Sequence, residues 1–347
     1  MDTRFLQGNE AVALAALQAG IQFYAGYPIT PATEIMELLA EEPARNPRFA
    51  YLHFEDEIAS INAIVGASLA GAKAMTATSG PGFSLMQEGI GLAHMTRAPI
   101  VIVDVQRVGP STGMPTLPSQ GDVMQARYGS HGDFYPIAFS PNSVEEAYAQ
   151  TIISFNAAEE SLSPVVLLMD GYIGHLYEAI DLDAVNIPPV PRSRPPFGQG
   201  RRHFTGLLSR DDVPDTKDSA YYREWYAGYK KEIQIVADKY ALFETVPNDK
   251  SNTIIISYGI TSRIVRELGD AYAYFRPIRI WPSLDREIIE ACQGHKKVVV
   301  IEMNDGQYGG EIERILKRES VSIPVIGGDL SLSQIVATMR EKKVYKA

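Results

Sequence analysis

Residues 99–105 form a β-branched run that starts at a proline and gives way to a stretch dense in glycine, proline, serine and threonine over 106–122. A strand of that make-up is covered on both faces, the situation of a parallel sheet flanked by helices. The chain on either side keeps the same plan. Gly8-Asn9-Glu10 opens an alanine-rich helix that runs to about Ala19, with Gly20 as its cap. Short apolar strands are expected over 21–25, 49–54, 73–78, 136–139 and 164–169, and helical spacing over 31–42, 58–71, 83–95 and 143–158. Such alternation predicts an α/β fold with a largely parallel sheet and helices on both faces.

The turn after the first of these strands is the most tightly specified. Tyr24-Ala25-Gly26-Tyr27-Pro28-Ile29-Thr30-Pro31 leaves an apolar strand through two prolines. Pro31 is expected at the first helical position, where its missing N–H costs nothing. Open α/β sheets bind ligands beside such strand ends, and the Thr30 hydroxyl and first-turn amides there suit a carboxylate or phosphate.

From residue 181 the character changes. Ile187-Pro188-Pro189-Val190-Pro191 and Arg194-Pro195-Pro196 favour extended polyproline geometry, as a linker or a wrapping arm. Tyr221-Tyr222-Arg223-Glu224-Trp225-Tyr226 follows as an aromatic helix, laid on its own domain or against another subunit. Strands over 253–258, 277–281, 297–302 and 323–326 mark a second α/β unit. The expected division is a first domain over 1–180, the arm and helix over 181–246 and a C-terminal α/β unit over 247–347: two domains, both with mainly parallel sheets.

Charge and cysteine content narrow the function. Lys plus Arg number 32 against 42 Asp plus Glu, a net charge of −10, with no basic tract to neutralise a run of phosphates, so nucleic acid is not an expected partner. No apolar run approaches the ~20 residues of a membrane span. The first residues lack a signal-peptide pattern, and a cytoplasmic protein is expected. A single cysteine, Cys292, excludes internal disulfides and any iron–sulfur cluster held by this chain alone, since a cluster takes about four thiolates. The six histidines show no zinc spacing, and no metal ligand is assigned.

Four stretches at strand ends carry candidate chemistry: Tyr27 to Pro31; Glu55-Asp56-Glu57; Thr78-Ser79-Gly80-Pro81-Gly82; and Gln106-Arg107 with Gly109-Pro110-Ser111-Thr112-Gly113-Met114-Pro115-Thr116. Singly, each has an ordinary use. The acids complement a helix dipole, the glycines make a tight turn, and Arg107 is a rim cation. In a parallel sheet, however, the carboxyl ends of the strands share one edge, so the four stretches can meet around one site.

With these blocks the first domain resembles the pyrimidine-binding domain of thiamine diphosphate enzymes, and specifically the alpha subunit of the 2-oxoacid:ferredoxin oxidoreductases. Ser257-Tyr258-Gly259 and the unit around it resemble the family's second, transketolase C-terminal-like domain. The resemblance implies that Glu57 is catalytic, touching N1′ of the aminopyrimidine so that the 4′-nitrogen can take the thiazolium C2 proton. The cofactor is expected against Tyr27, Pro28, Ile29, Glu57, Ser79 and Gly80. Thr30, Arg107 and Thr116 would hold the carboxylate and keto oxygen of the 2-oxoacid, where arginine's planar fork suits a carboxylate. The implied reaction is oxidative decarboxylation of a 2-oxoacid, 2-oxoglutarate or a branched-chain acid, with coenzyme A collecting the acyl group and ferredoxin the electrons. No obvious cation follows Thr116, which tilts the expectation away from 2-oxoglutarate and toward branched-chain or aryl acids.

The Gly-Asp-Gly…Asn motif that anchors Mg²⁺ and diphosphate in this class is missing, and Asn304-Asp305-Gly306 is not that motif. The resemblance therefore implies a beta subunit that shares the thiamine diphosphate and binds Mg²⁺. It also implies a separate gamma subunit, a ferredoxin-like delta subunit and 4Fe–4S clusters in those partners. A non-redox thiamine diphosphate decarboxylase or carboligase subunit is the alternative. A catalytically silent scaffold is the other, and the presence of both Glu57 and Arg107 speaks against it.

Overall fold

A computed structural model describes residues 3–199 and 205–346. Its largest sheet runs in the spatial order Arg279–Trp281, Ile137–Phe139, Val165–Asp170, Ile100–Val108, Ala74–Thr78, Phe23–Gly26, Ala50–His53. All neighbours in it are parallel except Arg279–Trp281, which pairs antiparallel with Ile137–Phe139. An eighth strand, Met114–Pro118, folds back antiparallel on the end of Ile100–Val108. The mainly parallel α/β architecture expected from the alternation is present.

Alternation of side chains along the central strand builds two cores. Val101, Val103 and Val105 join the alanine-rich helix Gly8–Gln18 and the long helix Val144–Ser161 on one face. Ile100 and Ile102 join the helix Glu57–Leu69 and the C-terminal unit on the other. Period-two geometry puts Asp104 on that second face as well.

The C-terminal unit is a five-stranded sheet ordered Phe243–Val246, Ala273–Pro277, Thr253–Ile256, Lys297–Glu302, Val321–Pro324, parallel apart from its first strand. The strand expected over 277–281 is divided between two sheets. Ala273–Pro277 stays in this one, and after Ile278 the chain enters the large sheet as Arg279–Trp281. The Leu242 carbonyl accepts the N–H of both Ile278 and Arg279 at the switch, and the Trp281 indole N–H donates to the Val123 carbonyl at 2.8 Å. The large sheet's second core is thus continuous with the C-terminal unit.

Four local expectations change. Pro31 does not open its helix: the Thr30–Pro31 peptide is cis, the Ala32 N–H closes a turn onto the Ile29 carbonyl, and the helix begins at Thr33. Gly80-Pro81-Gly82 is not a turn ahead of a helix but its first turn, because extended Ser79 occupies the N-cap and proline is compatible with the first helical positions. The stretch 106–122 is not a single loop; the strand continues through Gln106 and Arg107 to Val108 and returns as a hairpin. Finally, Thr3–Gln7 and Tyr177–Asp181 form an antiparallel pair with no counterpart in the periodicity.

The proline-rich stretch is a wrapping arm. Asn156 clamps it by donating to the Pro188 carbonyl and accepting from the Val190 N–H, and the Lys73 ammonium donates to the Val190 carbonyl. Arg192 binds the buried Glu159 and the Ser68 carbonyl, at 2.8 Å and 2.9 Å. The aromatic helix, Ser219–Lys239, lays Tyr229, Ile233, Val236 and Ala237 against its own chain, the i, i+4, i+7, i+8 stripe of a helix that covers a core. Among the described residues no helix is long and apolar enough to cross a membrane.

Candidate active site

The parallel sheet brings the predicted stretches to one edge. Tyr27 to Pro31 leave the strand Phe23–Gly26, Glu57 follows Ala50–His53, Ser79 follows Ala74–Thr78, and Arg107 lies near the end of Ile100–Val108. Asp56 caps the helix Glu57–Leu69 by accepting from the Ala59 N–H at 2.7 Å. This frees Glu57, the first helical residue, to turn inward: only 5% of it is exposed. The two acids therefore divide the uses weighed for this cluster, Asp56 as a cap and Glu57 as a buried carboxylate.

Glu57 lies against Gly82. A Cβ on that glycine would stand 2.3 Å from Glu57 Oε1 and 2.2 Å from Thr78 Oγ1, so the helix Gly80–Leu85 can approach the carboxyl only because it is bare there. Burial holds the Glu57 carboxyl above its ordinary range, opposed by its own backbone amide, raised further by Asp56 and opposed by Arg107.

Arg107 is buried, donates from Nη1 to the Thr30 carbonyl at 2.7 Å, and pairs in register with Pro118 of the returning strand. Burial lowers its pKa, while Asp122 and Glu57 raise it. Thr30 thereby meets Arg107 through its backbone, with its side chain exposed. Thr116 is exposed two residues before Pro118, Tyr27 is exposed, and Pro28 and Ile29 are half-buried. Ser79 is fully buried at its helix cap. Gly80 faces Asp122, whose Oδ2 would lie 3.6 Å from a Cβ at that position.

Several buried polar atoms at this edge have no hydrogen-bond partner: the hydroxyls of Thr76, Thr78 and Ser79, Gln106 Nε2 and Arg107 Nε. Unpaired buried polar groups are costly, and a polar ligand, an ion or water docking there satisfies them. A carboxyl resting on a bare glycine, unpaired hydroxyl and amide groups, and an arginine suit a flat nitrogen heterocycle with an acidic substrate beside it. They fit thiamine diphosphate through its aminopyrimidine end.

Two groups absent from the predicted site stand next to it. Asp104, wholly buried on the central strand, interacts with Asp122, which lies in the turn after the hairpin at the N-cap of the helix Val123–Tyr128. Gln120 ties the same loop to the C-terminal unit: its carbonyl accepts from Asn304 Nδ2, its Oε1 from the Met303 N–H, and its Nε2 donates to the Tyr258 carbonyl. Asp104 was detectable as one carboxylate in an otherwise apolar run; Gln120 carried no signal in the sequence. A cleft of about 680 Å³ opens between the two units, with Gly80, Arg107, Asp122, Asn304 and Asp305 in its wall.

Comparison with known proteins gives the site its family. Residues 14–245 match the family described as pyruvate flavodoxin/ferredoxin oxidoreductase, thiamine diphosphate-binding. The 2-oxoglutarate synthase subunit KorA of Methanocaldococcus jannaschii is 43% identical over 95% of this chain and 97% of its own length. The ketoisovalerate oxidoreductase subunit VorB of Methanothermobacter marburgensis is 32% identical over 98% of each. The structure of 2-oxoglutarate:ferredoxin oxidoreductase from Magnetococcus marinus, with 2-oxoglutarate, coenzyme A and succinyl-CoA bound, superimposes with a TM-score of 0.90 at 31% identity. It covers 98% of this chain, and this chain spans 65%, less than two thirds, of that one. The chain therefore belongs to the pyruvate flavodoxin/ferredoxin oxidoreductase family, as an alpha-type subunit of a thiamine diphosphate-dependent 2-oxoacid:ferredoxin oxidoreductase.

Proposed function

We propose that this chain supplies the pyrimidine-binding and substrate-orienting half of the active site for coenzyme A-dependent oxidative decarboxylation of a 2-oxoacid, with 2-oxoglutarate as the first substrate to test. Thiamine diphosphate, when bound, supplies the electron sink that makes loss of CO₂ easy. Glu57 would hold a proton toward the ring nitrogen N1′, a role suited to a carboxyl that burial holds above its ordinary range. Tyr27, Pro28, Ile29, Ser79 and Gly80 line the cofactor. Arg107, Thr30 and Thr116 hold the substrate carboxylate and keto oxygen. The observation that carries this reading is the buried Glu57 carboxyl set against bare Gly82, with partnerless donors around it.

The substrate choice rests on the 43% identical relative being a 2-oxoglutarate synthase subunit. A branched-chain 2-oxoacid is the second reading, favoured because Arg107 is the only basic side chain in the cleft wall among the described residues. A second cation for a distal carboxylate would then have to come from elsewhere.

Relatives named as subunits of multi-subunit enzymes accord with partner chains, and the open edge of the sheet at Ala50–His53 supports one here. Leu52, Ile58 and Leu85 leave 47%, 49% and 47% of their surface exposed close in sequence to the site residues. We assign that face to a beta subunit carrying Mg²⁺ and the diphosphate anchor. The 4Fe–4S clusters fall to gamma and delta subunits, ferredoxin is the acceptor, and the compartment is the cytoplasm. The domain roles follow: pyrimidine binding by 1–180, strapping by 181–246 and support of the cleft by 247–347.

Glu57→Gln in the purified complex tests the assignment. Substrate-driven viologen reduction is expected to fall at least a hundredfold with subunit composition unchanged. Wild-type turnover in that variant overturns it.

A further inference from the structure

Asp104 and Asp122 come from different elements, the central strand and the turn that follows the hairpin, and their carboxyl groups meet beneath Gly80. Both oxygens of Asp104 and Oδ2 of Asp122 are buried with no other side chain donating to them among the described residues, and the Gly80 backbone amide is the outside donor that acts on Asp104. Ionised carboxylates only accept, so the two carboxyl groups can bond to each other when one of them carries a proton that the other accepts. Asp104 is sealed at 0% exposure, whereas Asp122 is half-buried and forms part of the cleft wall beside Arg107 and Asn304. No group of three or more His, Cys, Asp or Glu positioned to hold a metal occurs among the described residues, so the pair is not part of such a centre.

We propose that Asp104 and Asp122 form a proton-sharing carboxyl pair whose Asp122 member accepts the proton of the thiol that enters the cleft to collect the acyl group. The proposal rests on the reading given above, in which coenzyme A is that thiol. In the step, the S–H bond breaks, its electron pair stays on sulfur, and the proton forms an O–H bond on Asp122. Reopening of the cleft to water returns it to solvent. No electron changes hands. Asp104 keeps its own proton and donates a hydrogen bond to Asp122, which makes it a positioning residue. The groups facing Asp122 are Asp104 and Arg107 from the central strand, with Glu57 across Arg107 and Asp305 in the opposite wall of the cleft.

The acid–base balance agrees. Burial and then Asp122 push the Asp104 carboxyl well above its ordinary range, against the Gly80 backbone amide, which pulls it down. Burial pushes Asp122 up to about 6, with Asp104 and Arg107 pulling it back down. Above that value Asp122 is ionised and free to take a proton; below it the pair is doubly protonated and cannot. The thiol-dependent rate is therefore expected to fall as pH drops through about 6.

Infrared difference spectroscopy of the purified, substrate-free complex between pH 5 and 8 reads the pair without turnover, and ¹³C-aspartate labelling assigns its bands without substitution. The pair predicts one protonated-carboxyl band that persists at high pH and is lost in Asp104→Asn, and a second that appears near pH 6 and is lost in Asp122→Asn. Absence of both bands from wild type overturns the pair, whatever the enzyme does. In the thiol-dependent reaction, Asp122→Asn is expected to lower kcat at least tenfold and to remove the acidic limb, and a wild-type pH profile in that variant overturns the acceptor role. Bands present in a wild-type complex that no 2-oxoacid reduces would overturn the proposed function, and the thiol with it, while leaving the pair.

Discussion

Gly82 is the residue on which the position of Glu57 depends. Thr78 and Glu57 are both buried, so neither has space to give way to a methyl group 2.2 Å and 2.3 Å from their oxygens. Overpacking of this kind costs about 1–3 kcal/mol. Gly82→Ala is expected to lower the melting temperature by several degrees and turnover at least tenfold, since the Glu57 carboxyl must move. Gly66 is the internal control: it lies in the exposed face of the helix Glu57–Leu69 with nothing within 4 Å of a Cβ, and Gly66→Ala is expected to stabilise the chain by about 1 kcal/mol. A Gly82→Ala chain that melts and turns over as wild type would remove the close contact from the account.

At the scale of elements, the arm is held by polar anchors rather than by a core of its own, Asn156 and Lys73 on its backbone and one buried ion pair beyond them. Arg192 is the cation against Glu159, a side chain only 2% exposed, and it also satisfies the Ser68 carbonyl. Removing one partner of such a pair strands the other charge, which costs about 3–5 kcal/mol. Lys73 also acts on Glu159 and softens the loss, so Arg192→Ala is expected to cost about 3 kcal/mol in urea unfolding. A change under about 0.5 kcal/mol would show the arm to be a passive linker. The elements also mark what could be read in advance. The strand ends bearing Glu57, Ser79 and Arg107 were legible because apolar runs bounded by Gly, Pro and acidic caps have few alternatives. The hairpin was not: Gly109-Pro110-Ser111-Thr112-Gly113 has the composition of a loop, and only pairing with the continued central strand makes Met114–Pro118 a strand. The Asp104–Asp122 contact lies between residues that local periodicity treats separately. The passage of Arg279–Trp281 into the first sheet is likewise a tertiary choice that no local pattern encodes.

The molecule as a whole presents an incomplete site. The carboxyl that would work on the cofactor, the arginine that would hold the substrate and the cleft that would admit a thiol belong to this chain. Its single, buried cysteine leaves no means of holding an iron–sulfur cluster by itself. Its relatives are named as enzyme subunits, and the test belongs to the complex. The most direct measurement is anaerobic viologen reduction by the native complex, with and without coenzyme A, across 2-oxoglutarate, 2-oxoisovalerate, pyruvate, oxalate and aryl 2-oxoacids. The account predicts reduction that depends on both coenzyme A and one 2-oxoacid, with 2-oxoglutarate first and 2-oxoisovalerate second. A complex that contains thiamine diphosphate and iron yet reduces viologen with none of these acids would contradict it.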